Sequence, residues 1–146
     1  MTTFTTEFFD LALSGEWTQT PINDHFEYVN KNDQLIINAS RSKHDLNEQE
    51  LMHAGLDAAK SRIEVLTAGG IKVSAPAVEK VGTKWDAYLS GIGSETKVYH
   101  QSAILVRPQV MLIVGYYRYV GRIDEAASKD FFREAKNVLW QISIKK

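Results

Sequence analysis

Residues 110–119, Val-Met-Leu-Ile-Val-Gly-Tyr-Tyr-Arg-Tyr, are apolar on both alternating faces. Side chains alternate across a strand. Val110, Leu112, Val114 and Tyr116 therefore point one way, and Met111, Ile113, Tyr117 and Tyr119 the other. Something must cover each face: the chain's own helices, a second subunit or a ligand. Six further segments read as strands: 8–13, 25–29, 35–39, 71–78, 84–92 and 97–106. The breaks at Asn30-Lys31-Asn32-Asp33, Val81-Gly82-Thr83, Gly93-Ser94-Glu95 and Arg107-Pro108-Gln109 are short and turn-like, which predicts hairpins and an antiparallel meander. Pro76 cannot donate to a ladder, so its segment is an edge strand or carries a bulge.

Between these strands the period changes to three and four. Met52, Leu56, Ala59, Ile63 and Leu66 form one stripe, as on a helix with a single apolar face. Asn47 and Glu50 have the spacing of a capping box, and Gly69-Gly70 can end the helix with positive φ. Asp45, Glu48 and Glu50 complement the dipole at the helix start. A second helix is predicted from Asp124 to Trp140, capped by Asp124 or Ser128 and burying Ala127, Phe131, Ala135, Val138 and Ile142. The order β-β-β-α-β-β-β-β-α predicts an α+β fold, an antiparallel β-sheet of about six to seven strands flanked by two helices.

In the strand at 84–92, Trp85, Ala87 and Leu89 are apolar, and Asp86, Tyr88 and Ser90 lie opposite. We match Leu35, Ile37 and Ala39 to the first set, and Ile36 and Asn38 to the second. The first side reads as core beneath a helix. The second mixes aromatic, aliphatic and hydrogen-bonding groups. It suits a polypeptide partner, or is covered by the final helix with Asp86 and Ser90 at a solvated edge. The partner reading places Ile36, Asn38, Tyr88 and Ser90, extended by Tyr116 and Arg118, in the binding face, with Tyr88 as its central aromatic. Trp17, Trp85 and Trp140 read as core.

Composition narrows the class. The 146 residues suit one domain, 1–146, with a sizeable core. They are 44% hydrophobic and 24% charged, as in ordinary globular proteins. A net charge of −1 argues against general nucleic-acid binding. With no cysteine, disulfides, thiol nucleophiles and cysteine-based metal sites are excluded. No segment approaches the ~20 apolar residues of a membrane span, and the N-terminus lacks signal-peptide character, so a cytoplasmic location is expected.

Catalytic motifs are absent. There is no G-x-S-x-G elbow, phosphate loop or H-E-x-x-H, and Gly91-Ile92-Gly93-Ser94 fits a turn better than a nucleotide site. His25, His44, His53 and His100 lack metal-ligand spacing. No cofactor or metal is expected. The rival class is a small-ligand binder or enzyme whose pocket is lined by Tyr88, His100, Tyr116 and Arg118. Such a pocket suits an anion, with His100 titrating near neutrality.

One resemblance sharpens this. Ser14-Gly15-Glu16-Trp17 is followed by Thr18-Gln19-Thr20-Pro21-Ile22-Asn23, a hairpin closing on Ile37-Asn38-Ala39-Ser40-Arg41, and a helix opened by Leu46-Asn47-Glu48-Gln49-Glu50-Leu51. This order resembles the DcrB-related, PsbP-like group of small bacterial domains, with Gln19, Ser14 and Glu16 as departures from its pattern. The resemblance implies a PsbP-like α/β/α sandwich and a non-enzymatic role. It also implies kinship with the Eag chaperones of type VI secretion, which bind apolar N-terminal helices of effectors and are often dimeric. An immunity protein that blocks a cognate bacterial toxin is the alternative.

Overall fold

The computed structural model describes residues 1–145 of the chain. In order these form β1 (Thr2–Thr5), β2 (Phe9–Leu13), β3 (Thr18–Thr20), β4 (Phe26–Asn30), β5 (Asp33–Arg41), α1 (Glu48–Ala68), β6 (Lys72–Val73), β7 (Ala77–Val81), β8 (Lys84–Gly93), β9 (Val98–Val106), β10 (Val110–Tyr119), α2 (Glu125–Trp140) and β11 (Ile142–Ile144). The fold is α+β, as the alternation of periods predicts. Its main sheet has eight strands in the order β3-β4-β5-β10-β9-β8-β6, with β7 also pairing with β8. The short strands β1, β2 and β11 form a separate small sheet. Pro76 splits the predicted strand at 71–78 into β6 and β7, which share the outer edge of β8.

Both helix starts are built as the caps predict. Asn47 Oδ1 accepts from the Glu50 amide at 2.9 Å, and Glu50 Oε1 accepts from the Asn47 amide at 3.1 Å. Asp124 caps α2, accepting from the Ala127 amide. Gly70 leaves α1 at φ 83°, a conformation that favours glycine.

The two layers differ. On one side of the main sheet lie α2 and the small sheet. Their Phe9, Leu11, Leu13, Phe131 and Leu139 join Leu35, Ile37, Leu112, Val114 and Tyr116 in the larger core. On the other side α1 packs over β8, β9 and β6. There Leu51 and Ala59 meet Trp85, Ala87, Leu89, Ile104 and Val106.

Several details depart from the sequence expectation. The inward face of α1 is Leu51, Gly55, Ala59 and Leu66. Leu56 is 49% exposed, and Met52 and Ile63 sit at the flank. The centre of the stripe is Gly55, which carries no hydrophobic signal. On α2 the buried set is Ser128, Phe131, Ala135 and Leu139. Ala127 is exposed and Ile142 belongs to β11. The residue after an inward Leu139 turns about 100° away, so Trp140 is 70% exposed. Trp17 and Trp85 are buried as expected.

The largest correction concerns register. Leu35 opposes Tyr116, Tyr116 opposes Gln101, and Gln101 opposes Ser90. Ile36 opposes Gly115, Gly115 opposes Ser102, and Ser102 opposes Leu89. Leu35 and Ile37 therefore lie on the α2 side, and Trp85, Ala87 and Leu89 on the α1 side. Alternation assigns faces within a strand. Two strands separated by two others take their relative phase from the pairing register, and a shift of one residue inverts it.

Candidate partner-binding face

Neither helix packs over the α1 side of β3, β4 and β5, and α1 reaches only the near rim of β10. This bare half of the sheet is the candidate site. Its floor is made by Ile36, Met111 and Ile113, all half-buried, with Asn38 and Ser40 exposed beside them. Isoleucine and methionine at these positions follow from alternation in β5 and β10. Their opposite neighbours, Ile37, Leu112 and Val114, fill the core.

A polar ladder closes one end of the floor. Tyr119, 50% exposed, donates its hydroxyl to Gln34 Oε1 at 3.3 Å. Gln34 Nε2 donates to Glu27 Oε1 at 3.0 Å, and His25 Nε2 stands 3.8 Å from the same carboxylate. At the other end a cavity of about 170 Å³ is lined by Ser40, Ser42, Leu46, Ala54 and Met111. The α1 wall carries small residues there, Ala54 and Ala58.

A buried polar cluster sits where wall meets floor. Arg62 donates from Nε to Ser102 Oγ at 3.0 Å and from Nη2 to the Tyr117 hydroxyl at 2.8 Å. Ser102 Oγ also bonds His100 Nε2, and the His100 ring lies 4.5 Å from that of Tyr117. Gly115 makes room for this arrangement. A Cβ there would overlap the Arg62 guanidinium. His100 is fully buried, and its Nδ1 has no partner. Burial pushes its pKa down to about 3, and the Arg62 charge adds to the effect. The imidazole is neutral at physiological pH and does not titrate near neutrality. Sequence reasoning missed this cluster. Its only trace is His100 and Ser102 two apart on a strand, facing a helix arginine.

The six residues expected to share one face divide. Ile36 and Asn38 lie on the bare α1 side, whereas Tyr88, Ser90, Tyr116 and Arg118 lie on the α2 side. The register described above separates them. Tyr116 is buried, and its hydroxyl donates to Asp33 Oδ2 at 2.5 Å. Burial, and the acceptor carboxylate of Asp33, hold that hydroxyl protonated well above its ordinary range. Arg118 forks onto Asp33 at 2.8 and 2.9 Å, reaches Glu134 at 2.7 Å, and lies over the Phe131 ring. The hydrogen bond to Asp33 raises its pKa further. These two residues tie α2 to β5 and β10. Ser90 donates to Gln101 Oε1 at 2.7 Å. Tyr88 is half-buried against the larger core. Burial, and the nearby Asp86 and Glu79 carboxylates, raise its pKa, while a hydrogen bond with Trp140 opposes this.

The anion pocket imagined from Tyr88, His100, Tyr116 and Arg118 does not form, because His100 faces α1 and the others face α2. A cavity of about 550 Å³ lies elsewhere, near the β9–β10 turn. Its Arg107 is held by Asp86 at 2.6 Å and its Lys145 by Asp10 at 3.3 Å. Among the described residues no group of three histidine or acidic side chains is placed to hold a metal. No described helix is long and apolar enough to cross a membrane.

The arrangement is similar to several solved structures, among them the following two. The Ran-binding protein Mog1p of Saccharomyces cerevisiae superimposes with a TM-score of 0.58 at 10% identity, over 93% of this chain and 89% of Mog1p. A protein of Bacteroides thetaiotaomicron superimposes with a TM-score of 0.55 at 14% identity, over 94% of this chain and 45% of the other. At these identities the likeness establishes the fold, a Mog1-like and PsbP-like α+β architecture. No protein-family model matches the sequence, and no curated protein matches it.

Proposed function

We propose that this chain is a non-enzymatic protein-binding module that receives an apolar helix of another polypeptide on the bare half of its sheet. The observation that carries the reading is the missing helical layer over β5, β4 and β3, with α1 reaching only the near rim of β10. The α1 side of β3, β4 and β5 is largely polar, with Thr18, Thr20, Glu27, Gln34, Asn38 and Ser40 around Val29 and Ile36, so the apolar strip offered to a partner runs along Ile36, Ile113 and Met111 beside α1. Four strands at about 4.8 Å spacing make a floor roughly 15–20 Å wide, which takes one helix of about 10 Å diameter beside α1. Ile36, Met111 and Ile113 supply apolar area, and Asn38, Gln34 and Tyr119 supply hydrogen bonds at its margins. The resemblance to Eag chaperones makes the partner an effector of type VI secretion, bound through its apolar N-terminal helices, with this chain as chaperone or adaptor. Mog1p is a Ran-binding protein, so a fold of this kind supports recognition of a protein partner.

The test is a pull-down from the native host with the full chain as bait, followed by mapping of the bound segment in any secreted effector or toxin retained. Binding should localise to apolar N-terminal helices. Ile36→Asp should weaken it by at least about 2 kcal/mol, with an unchanged circular dichroism spectrum. Binding to the toxin domain instead would favour the immunity-protein reading. A dimer broken by Ile36→Asp would make a second copy of this chain the occupant. Wild-type affinity in the variant would remove the bare face from the site.

A further inference from the structure

Arg62 carries a positive charge that nothing in the described structure balances. Arg41, Arg107, Arg118 and Arg133 each stand within 4.0 Å of a carboxylate. Arg122 and Arg62 have none among the described residues, but Arg122 is exposed to water whereas Arg62 is half-buried. Its own helix offers Ala58, Ala59, Val65 and Leu66 at the positions three and four away, where an ion pair would form. The sheet beneath offers Ser102, Gly115, Tyr117 and a neutral His100. Half-burying a guanidinium without a counter-charge is costly, and a neutral glutamine has donor and acceptor enough to bond both hydroxyls. Arg62 spends Nε and part of Nη2 on those hydroxyls. The rest of its five-donor fork stays uncommitted, in a geometry suited to a carboxylate. The side chain is also held in place by its two bonds and by the space at Gly115, so little entropy remains to be lost on binding.

We infer that Arg62 is the receptor for a carboxylate on the docked polypeptide, an aspartate or glutamate that the partner helix turns toward the junction of α1 and β10. The inference rests on the docking reading above and adds the chemistry of the partner to it. The occupant is then an apolar helix with one acidic residue on its buried side, rather than an uninterrupted apolar one.

A displayed library of 20-residue amphipathic helices, randomised on both faces, would be selected against the full chain and counter-selected against Ile36→Asp. Retained peptides should share an acidic residue at one helix position. Changing that glutamate to glutamine should weaken binding about ten-fold or more, Arg62→Gln should do the same, and the two together should lose no more than either alone. Ile36-dependent peptides that bind Arg62→Gln as tightly as the parent would overturn the inference and leave the docking reading standing. A library yielding no Ile36-dependent peptide would overturn both. Should Arg62→Gln unfold, the peptide-side glutamate-to-glutamine change still decides, since it leaves this chain intact. An undiminished affinity there overturns the inference.

Discussion

Gly55 of α1 lies directly over the indole of Trp85. A Cβ on Gly55 would overlap three carbons of that ring, so the helix sits closer to β8 than any side chain at position 55 permits. Trp85 is 3% exposed and fills the space between helix and sheet with Leu51, Ala59 and Leu89. The contact seats α1 over β8 and β9, lets it reach the near rim of β10, and leaves β5 bare. The uncovered face is thus a consequence of where a glycine meets a tryptophan.

Gly55→Ala should therefore destabilise the protein by about 1–3 kcal/mol, as overpacking does. In an open helix the same change would stabilise by about 1 kcal/mol, so the sign decides. Trp85→Ala should cost about 3–5 kcal/mol. Denaturant titration measures both, and a stabilised Gly55→Ala would show that the close seat is absent in solution.

Stability should fall with acid because of His100. Its folded pKa of about 3 lies below the unfolded value near 6.5. The unfolded chain thus takes up a proton first as pH drops. Stability present above pH 6.5 is lost on the way down toward pH 3, amounting to about 2 kcal/mol by pH 5 from this group alone. Unfolding free energies between pH 7 and 5 should show this slope in the parent and a flatter one in His100→Gln. Equal slopes would mean that His100 is not kept neutral by the fold.

Asp33 holds Tyr116 and Arg118 together beneath α2. Asp33→Ala should cost about 2–3 kcal/mol, since three hydrogen bonds to a charged group are lost and a partly buried guanidinium is left with Glu134 alone. Glu134→Gln, at an exposed position, should change stability by at most about 0.5 kcal/mol. Chemical unfolding of the two variants compares them, and equal losses would contradict the assignment of Asp33 as the anchor.

Trp140 is the accessible tryptophan, and Trp17 and Trp85 are covered. Iodide should quench one component of the fluorescence, and Trp140→Phe should abolish it while leaving stability within about 0.5 kcal/mol. A quenchable component that survives the substitution would place Trp17 or Trp85 at the surface.

Much of the architecture is legible along the chain. The change from period two to period three and four marks α1, and Asn47, Glu50 and Gly70 bound it. The turn residues separate β8, β9 and β10, and Pro76 breaks the edge strand. The short strands β1, β3 and β11 are not legible, because three to four polar-alternating residues carry too little signal. Trp140 faces water and not the core that the sequence pattern predicts, because helix period assigns a face only to within a residue.

The candidate site divides the same way. Ile36 and Asn38 can be read as outward neighbours of core residues, and they do lie on the bare face. Tyr88, Ser90, Tyr116 and Arg118 belong to the other side. The convergence of Arg62, His100, Ser102 and Tyr117 leaves no trace in the sequence beyond the two-residue spacing of His100 and Ser102. What the chain determines by itself is local: propensity, caps, turns and the alternation within each strand. The tertiary structure decides the phase between strands, because that phase is a property of hydrogen-bonded pairs far apart in sequence. It also decides which half of the sheet a single helix covers, and hence which charge is left without a partner.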